Sequence, residues 1–260
     1  MKKLLIKLFQ NLFVLLDQHQ SKHLLWGSLA EVMKQSYKPG GEGEAYILTT
    51  LSKIDSELSI IDVGANVGNW SADAAKILPG SKIYAIEAIP EFFNKIDSSM
   101  LVEKYNLALS DREETLQIFQ SGGGAKPFSK NTPGKKTFTH QVRAITGDQF
   151  IEENNIEKVD FIKIDTDGFD FPILNGFSDT IEQHKPIVQF ELSHWWLRMG
   201  YTVKLAEKFF VDKNYSLFVM KSDSLEILSY DIPDSLFINV NIVAIPNSLV
   251  AKIKEFQQNM

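Results

Sequence analysis

The feature that most constrains this chain is a repeated unit: an apolar run of strand length that ends on glycine or a carboxylate, followed by a helical stretch. "LSIIDVGAN" leads into "NWSADAAKIL", with Asn69 placed to cap the helix. "KIYAIEA" leads into a helix opened by Pro90, "VDFIKID" into one with Pro172 in its first turn, and "PIVQFELS" towards "KLAEKFFVDK". Alternation of this kind predicts an α/β fold with a mostly parallel sheet and helices on both faces. Near the C-terminus, "YSLFVMKS" and "LFINVNIVAI" follow one another without a crossover helix, which predicts an antiparallel C-terminal hairpin. "LVEKYNLALS" reads as a third strand. "TLQIFQ" and "FTHQVRAIT" read as strands flanking a loop at 121–136, either a surface connector or a lid over a ligand.

At 260 residues with 44% apolar side chains, the chain can bury one large core plus a modest extension. We divide it into an N-terminal helical extension, 1–40, and a domain at 41–260. The opening "MKKLLIKLFQNLFVLLDQHQ" starts on lysines and turns apolar, yet Lys7, Gln10 and Asn11 interrupt the run and no small-residue cleavage site follows. It therefore reads neither as a signal peptide nor as a membrane span. Leu5, Leu8, Phe9, Leu12 and Leu16 recur at helical spacing, which predicts an amphipathic helix. It either docks on the protein's own core or a second copy in a homodimer, or lies on anionic lipid through Lys2, Lys3 and Lys7. A net charge of −6 disfavours a nucleic-acid partner. The absence of cysteine removes disulfides, thiolate zinc sites and cysteine nucleophiles, and is compatible with a cytoplasmic location.

Open parallel sheets bind ligands at the carboxyl ends of their strands, where strand order reverses. That rule makes the run ends candidates. Gly64 and Gly68 let the first turn approach a ligand closely. Glu87 ends the next strand about 20 residues further on, where a carboxylate accepts hydrogen bonds from a ribose diol. The turn lacks the G-x-G-x-x-G spacing and any Lys or Arg for a pyrophosphate, and carries Asp62 just before it. A carboxylate there favours a ligand with a sulfonium and an ammonium, which points to S-adenosyl-L-methionine.

"IIDVGANVGNW", the strand-end Glu87, "LALSD" at 107–111, "ITGDQFI" at 145–151, "VDFIKIDTDGFDFPILNGF" and "PIVQFELS" stand in the order and spacing of FkbM-like methyltransferases, which this chain resembles over about 40–195. The resemblance implies a Rossmann-like class I methyltransferase sheet and S-adenosylmethionine-dependent O-methylation of a hydroxyl on a sugar, glycan or related natural product. It implies cofactor contacts from Asp62, Gly64, Asn66, Gly68, Glu87, Ala88, Ser110 and Asp165. Relatives more often read D-V-E-G-A-E where this chain has Asp165-Thr166-Asp167-Gly168-Phe169-Asp170, so two carboxylates are one methylene shorter.

Asp165 stands at a strand tip beside the expected methyl group, where the resemblance and the geometry both place an active-site acid. Bases for an acceptor hydroxyl are Asp165, Glu191, which the resemblance also supports, and His194, whose ordinary pKa suits the task. Asp167 stabilises its turn, binds a substrate hydroxyl, or joins Asp165 around a cation. With no third ligand evident, no metal site is assigned. Trp195 and His140 are further candidates for acceptor contact, the latter reaching in from the long loop. Trp196 and Tyr201 either join them or belong to the core. Asp170 precedes Phe171-Pro172 and reads as a helix cap. Two other functions compete: a non-catalytic or lipid-associated binding module on the same fold, and a metal-dependent phosphatase using Asp165 and Asp167.

Overall fold

A computed structural model describes residues 42–98, 101–121, 124–127, 140–192, 196, 199–228 and 240–258. The expected extension over 1–40 and most of the long loop lie outside these residues. In the central sheet, β1 (Ser59–Val63), β2 (Lys82–Ile86) and β3 (Val102–Tyr105) run outwards in one direction, and β8 (Phe161–Ile164) and β9 (Ile187–Leu192) in the other. All five are parallel. The order reverses between β1 and β8.

Beyond β9 come β12 (Val240–Pro246), β10 (Tyr215–Met220) and β11 (Leu225–Ile227). The pairing of β10 with β12 is antiparallel, as the two C-terminal runs predict. The structure adds that β12, later in the chain, lies between β9 and β10 and is antiparallel to both.

The strands of this sheet are apolar because both faces are covered. Ile60, Ile61, Phe161, Ile162, Val188 and Phe190 are fully buried. Helix α1 (Glu42–Ile54) lays Ile47, Leu48 and Leu51 against Ile60, Phe161 and Val243. Each such side chain contributes roughly 1.5–3 kcal/mol by leaving water. After β1, helix α2 (Asn69–Ile77) begins at Gly68 in the left-handed region, with no side-chain cap, so Asn69 is the first helical residue rather than the cap.

A second sheet was not foreseen. "LVEKYNLALS" breaks at Asn106, whose Nδ2 donates to the carbonyls of Glu87 and Ala88 at 2.9 and 3.2 Å. The chain leaves β3 and forms β4 (Ala108–Ser110), which joins β5 (Glu114–Ser121), β6 (Gly124–Pro127) and β7 (His140–Thr146) in the order β4-β7-β5-β6. Ile118 of this small sheet packs with Ile89 and Phe92, so the sheet walls the carboxyl end of β2.

Candidate active site

The reversal between β1 and β8 sets the position of the site. Gly64 has φ +81°, and a Cβ there would come within 2.0 Å of the Asp165 carbonyl oxygen, so the close approach of the two strand ends requires glycine. Gly64 and Ala65 both donate to the Ile86 carbonyl, at 2.9 and 3.0 Å, which bends the turn across the end of β2. Glu87 closes this arrangement: its Oε2 accepts from the Asn66 N–H at 2.8 Å and its Oε1 from the Ile89 N–H at 2.7 Å. Only 5% exposed, Glu87 has its pKa raised by burial, against the opposing pull of those two amides.

A cleft with about 630 Å³ of empty space, part of it open to solvent, lies over these strand ends. Gly64, Asn66, Glu87, Asp165 and Asp167 line it, together with apolar Ile86, Ala88, Phe92, Leu109 and Ile118. A second cleft shares Gly64, Asn66 and Asp165 with the first and continues along Glu44, Trp70, Asp73 and Lys163. The two therefore meet at Asp165.

Beneath that meeting point runs a row of buried polar side chains. Strand register sets Asp62 beside Lys163 and Lys163 beside Gln189. Lys163 is 4% exposed, with Nζ 3.0 Å from Asp165 Oδ2, 3.8 Å from Asp62 Oδ1 and 5.6 Å from the centre of the Trp70 ring. Burial alone lowers a lysine pKa, but Asp165, Asp62 and Glu44 outweigh it and hold this one raised. Burial likewise raises the carboxyl of Asp62, which Lys163 and the Ser71 hydroxyl, 2.5 Å away, oppose. Glu44, from α1, accepts a long hydrogen bond of 3.5 Å from Gln189 Nε2.

The acidic turn after β8 is held from below. Asp167 takes φ +55° and Gly168 φ +111°, which folds the chain back on itself. Asp170 opens helix α3 (Asp170–Gly176) but does not cap it. It is fully buried, and its Oδ2 accepts from Gly168 N–H and the Thr166 hydroxyl, both at 3.2 Å. Burial, with the Asp165 charge nearby, pushes Asp170 up to about 7. Glu191 on β9 is pushed up to about 8 by burial and by Asp165, Asp170 and Asp167, with Lys163 opposing.

Of the cofactor candidates, Gly64, Asn66, Glu87, Ala88 and Asp165 line the first cleft. Asp62 lies beneath it, and Gly68 holds the start of α2 with φ +83°. Ser110 is apart: it is fully buried and its hydroxyl donates to Glu114 at 2.6 Å. Glu191 stands one strand from Asp165 but is not among the residues lining either cleft, whereas Asp167 lines the first. His140 lies on β7 with Nε2 3.3 Å from Glu91 Oε2 and is not among the lining residues. His194 and Trp195 fall outside the described residues. Trp196 is core, 2% exposed and stacked 5.7 Å from Phe190, and Tyr201 packs 5.0 Å from Phe171. Lys163, Glu44 and Gln189 were missed, although a lysine inside "DFIKID", a run otherwise buried on both faces, is itself a signal.

Parallel strands ordered 3-2-1 and then outwards again, the last strand of the chain inserted in reverse between two earlier ones, and a glycine turn facing a strand-end carboxylate define a Rossmann-like class I methyltransferase sheet. The family model described as Methyltransferase FkbM domain matches residues 62–217. The chain belongs to the FkbM methyltransferase family.

Among solved structures, the methyltransferase FkbM of Methylobacillus flagellatus KT is 13% identical, with a TM-score of 0.49 over 73% of this chain and 44% of that one. This chain thus spans less than half of that protein's length. The O-methyltransferase TomG of Streptomyces achromogenes, solved with SAM, is 12% identical (TM-score 0.44, 78% of each chain). An O-methyltransferase of Bacillus cereus, solved with SAH, is 14% identical (TM-score 0.46, 84% of this chain and 90% of that one). No curated protein matches the sequence. Among the described residues, no helix is long and apolar enough to cross a membrane.

Proposed function

We propose that this chain transfers a methyl group from S-adenosylmethionine to a hydroxyl of a sugar, glycan or related natural product. The observation that carries the reading is that Glu87 and Asp165, from different strands, line one cleft on either side of the Gly64 turn. The residues fit the cofactor. Ile86, Ala88, Phe92, Leu109 and Ile118 offer apolar walls for an adenine ring. Glu87 accepts from backbone N–H groups, and its two oxygens together offer about four acceptor sites, which leaves capacity for a ribose hydroxyl. Asp165 and the buried Asp62 supply negative charge where a sulfonium would lie.

When bound, the cofactor supplies a methyl group on positively charged sulfur, open to in-line displacement by oxygen. The chain's part is to orient the acceptor, exclude water and take its proton. Alignment of this kind is worth roughly 7–11 kcal/mol. Glu191, one strand from Asp165 and basic once ionised because its pKa is raised, is the base we assign to the hydroxyl proton, and Asp167, which lines the first cleft, orients the acceptor hydroxyl.

Calorimetry with S-adenosylhomocysteine tests the cofactor: micromolar binding supports the reading and no binding at millimolar ligand counts against it. Transfer of labelled methyl to a panel of mono- and oligosaccharides, with amines as controls, tests the acceptor. Label appearing only on nitrogen would refute O-methylation.

A further inference from the structure

Resting on the transferase reading, one buried group still lacks a role. Among the described residues Lys163 is the one buried lysine. Stability does not account for it, since an apolar side chain of similar volume is often neutral or stabilising in place of a buried ion. Its surroundings do. Asp62 on β1 and Gln189 on β9 flank it, Trp70 lies against it, and Glu44 faces it from α1. Among the described residues, its one hydrogen bond to a side chain is to Asp165 Oδ2, on the carboxylate at which the two clefts meet.

The two carboxylates beside Lys163 differ. Asp62 is wholly buried, and its Oδ1, 3.8 Å from Nζ, has no hydrogen-bond partner among the described residues. Asp165 is 44% exposed, and only its Oδ2 is held by the lysine. The ammonium is thus anchored on the buried side by charge and bonded on the open side to one oxygen, and among the described residues no hydrogen bond takes up Asp165 Oδ1, which can meet a ligand. We propose that Lys163 is a positioning residue: it clamps Asp165 at the mouth of the clefts so that the free carboxylate oxygen faces the cationic end of the cofactor.

The test compares S-adenosylmethionine with S-adenosylhomocysteine, which differ in the charge on sulfur, by calorimetry. The proteins are wild type, Asp62→Asn, Lys163→Arg and the double variant Asp62→Asn/Lys163→Met. The double variant removes one charge of each sign, so its net charge equals that of the wild type. Relative to Asp62→Asn, the double variant should lose at least about tenfold of its preference for the sulfonium, or about 1.4 kcal/mol. Lys163→Arg, which keeps the charge and a donor, should retain that preference. A preference in the double variant equal to or above that of Asp62→Asn would overturn the proposal, because removing a lysine that only filled space leaves the ratio of the two ligands unchanged and removing one that acted only through its charge favours the sulfonium. If the double variant does not fold, a crystal structure of wild type with the amine analogue of the cofactor decides. Nζ still on Oδ2 with Oδ1 against the ligand's cation supports the clamp, and Asp165 turned away from Lys163 refutes it. Failure of wild type to bind either ligand would instead refute the transferase reading.

Discussion

Asp170 Oδ1 accepts the backbone N–H of Glu191 at 3.3 Å. With Oδ2 accepting from Gly168 and Thr166, one buried carboxylate fastens the acidic turn to the neighbouring strand. Asp170→Ala leaves those donors without an acceptor in a dry site. At roughly 1–3 kcal/mol for each buried group left unpaired, we expect a loss of about 3 kcal/mol, measured by denaturant unfolding. Asp170→Asn keeps one acceptor oxygen and should cost about half as much.

Stability should fall as pH rises through neutrality. Asp170, pushed up to about 7, and Glu191, pushed up to about 8, lie well above their unfolded values near 4. Between those limits the folded chain binds more protons than the unfolded one, so their contribution is complete below about pH 4 and gone above pH 8. Each group removes up to about 1.4 kcal/mol per pH unit inside its window. Urea midpoints measured from pH 5 to 9 should decline, and Glu191→Gln should flatten the upper part of the decline. A wild-type midpoint that climbs over this range would contradict the assignment.

Gly64→Ala should be among the most damaging single substitutions. The added methyl meets the Asp165 carbonyl oxygen at 2.0 Å and demands φ +81° of an alanine. Either the β1 and β8 ends separate or the turn refolds. We expect more than about 3 kcal/mol of destabilisation and no detectable S-adenosylhomocysteine binding in whatever fraction folds, read by thermal melting and calorimetry.

Glu87→Gln isolates the carboxylate. The amide fills the same space, but its NH₂ must face the N–H of Asn66 or of Ile89, donor against donor. We expect S-adenosylhomocysteine affinity to fall at least about tenfold with only a modest change in melting temperature. Unchanged affinity would place the ribose elsewhere.

The sheet was legible because its runs are apolar on both faces. Ile60, Ile61 and Val63 leave no exposed face that a solvated strand would need, and Asp62 and Glu87 mark the ends that matter. What the sequence concealed came from distant partners. Nothing within "DFIKID" says that Asp62 and Glu44, about 100 residues earlier, close on Lys163. Nothing in "KYNLALS" says that Asn106 is held by the carbonyls of Glu87 and Ala88, which splits one expected strand into two. Asp170 has the local signature of a cap, yet its acceptors serve the turn behind it and the strand beside it. Trp196 could be read either as a sugar platform or as core until its stacking on Phe190 was seen.

β12 is inserted between β9 and β10, although it is made after both. Glu191 sits opposite Asn241 in that pairing. During synthesis, β9 therefore emerges with its outer edge bare and stays so until residues 240–246 leave the ribosome, an interval in which an unpaired, largely apolar edge is open to wrong partners. The strand that bears the proposed base is completed late, so chains cut short before Val240 should collect as insoluble material rather than as weakened enzyme.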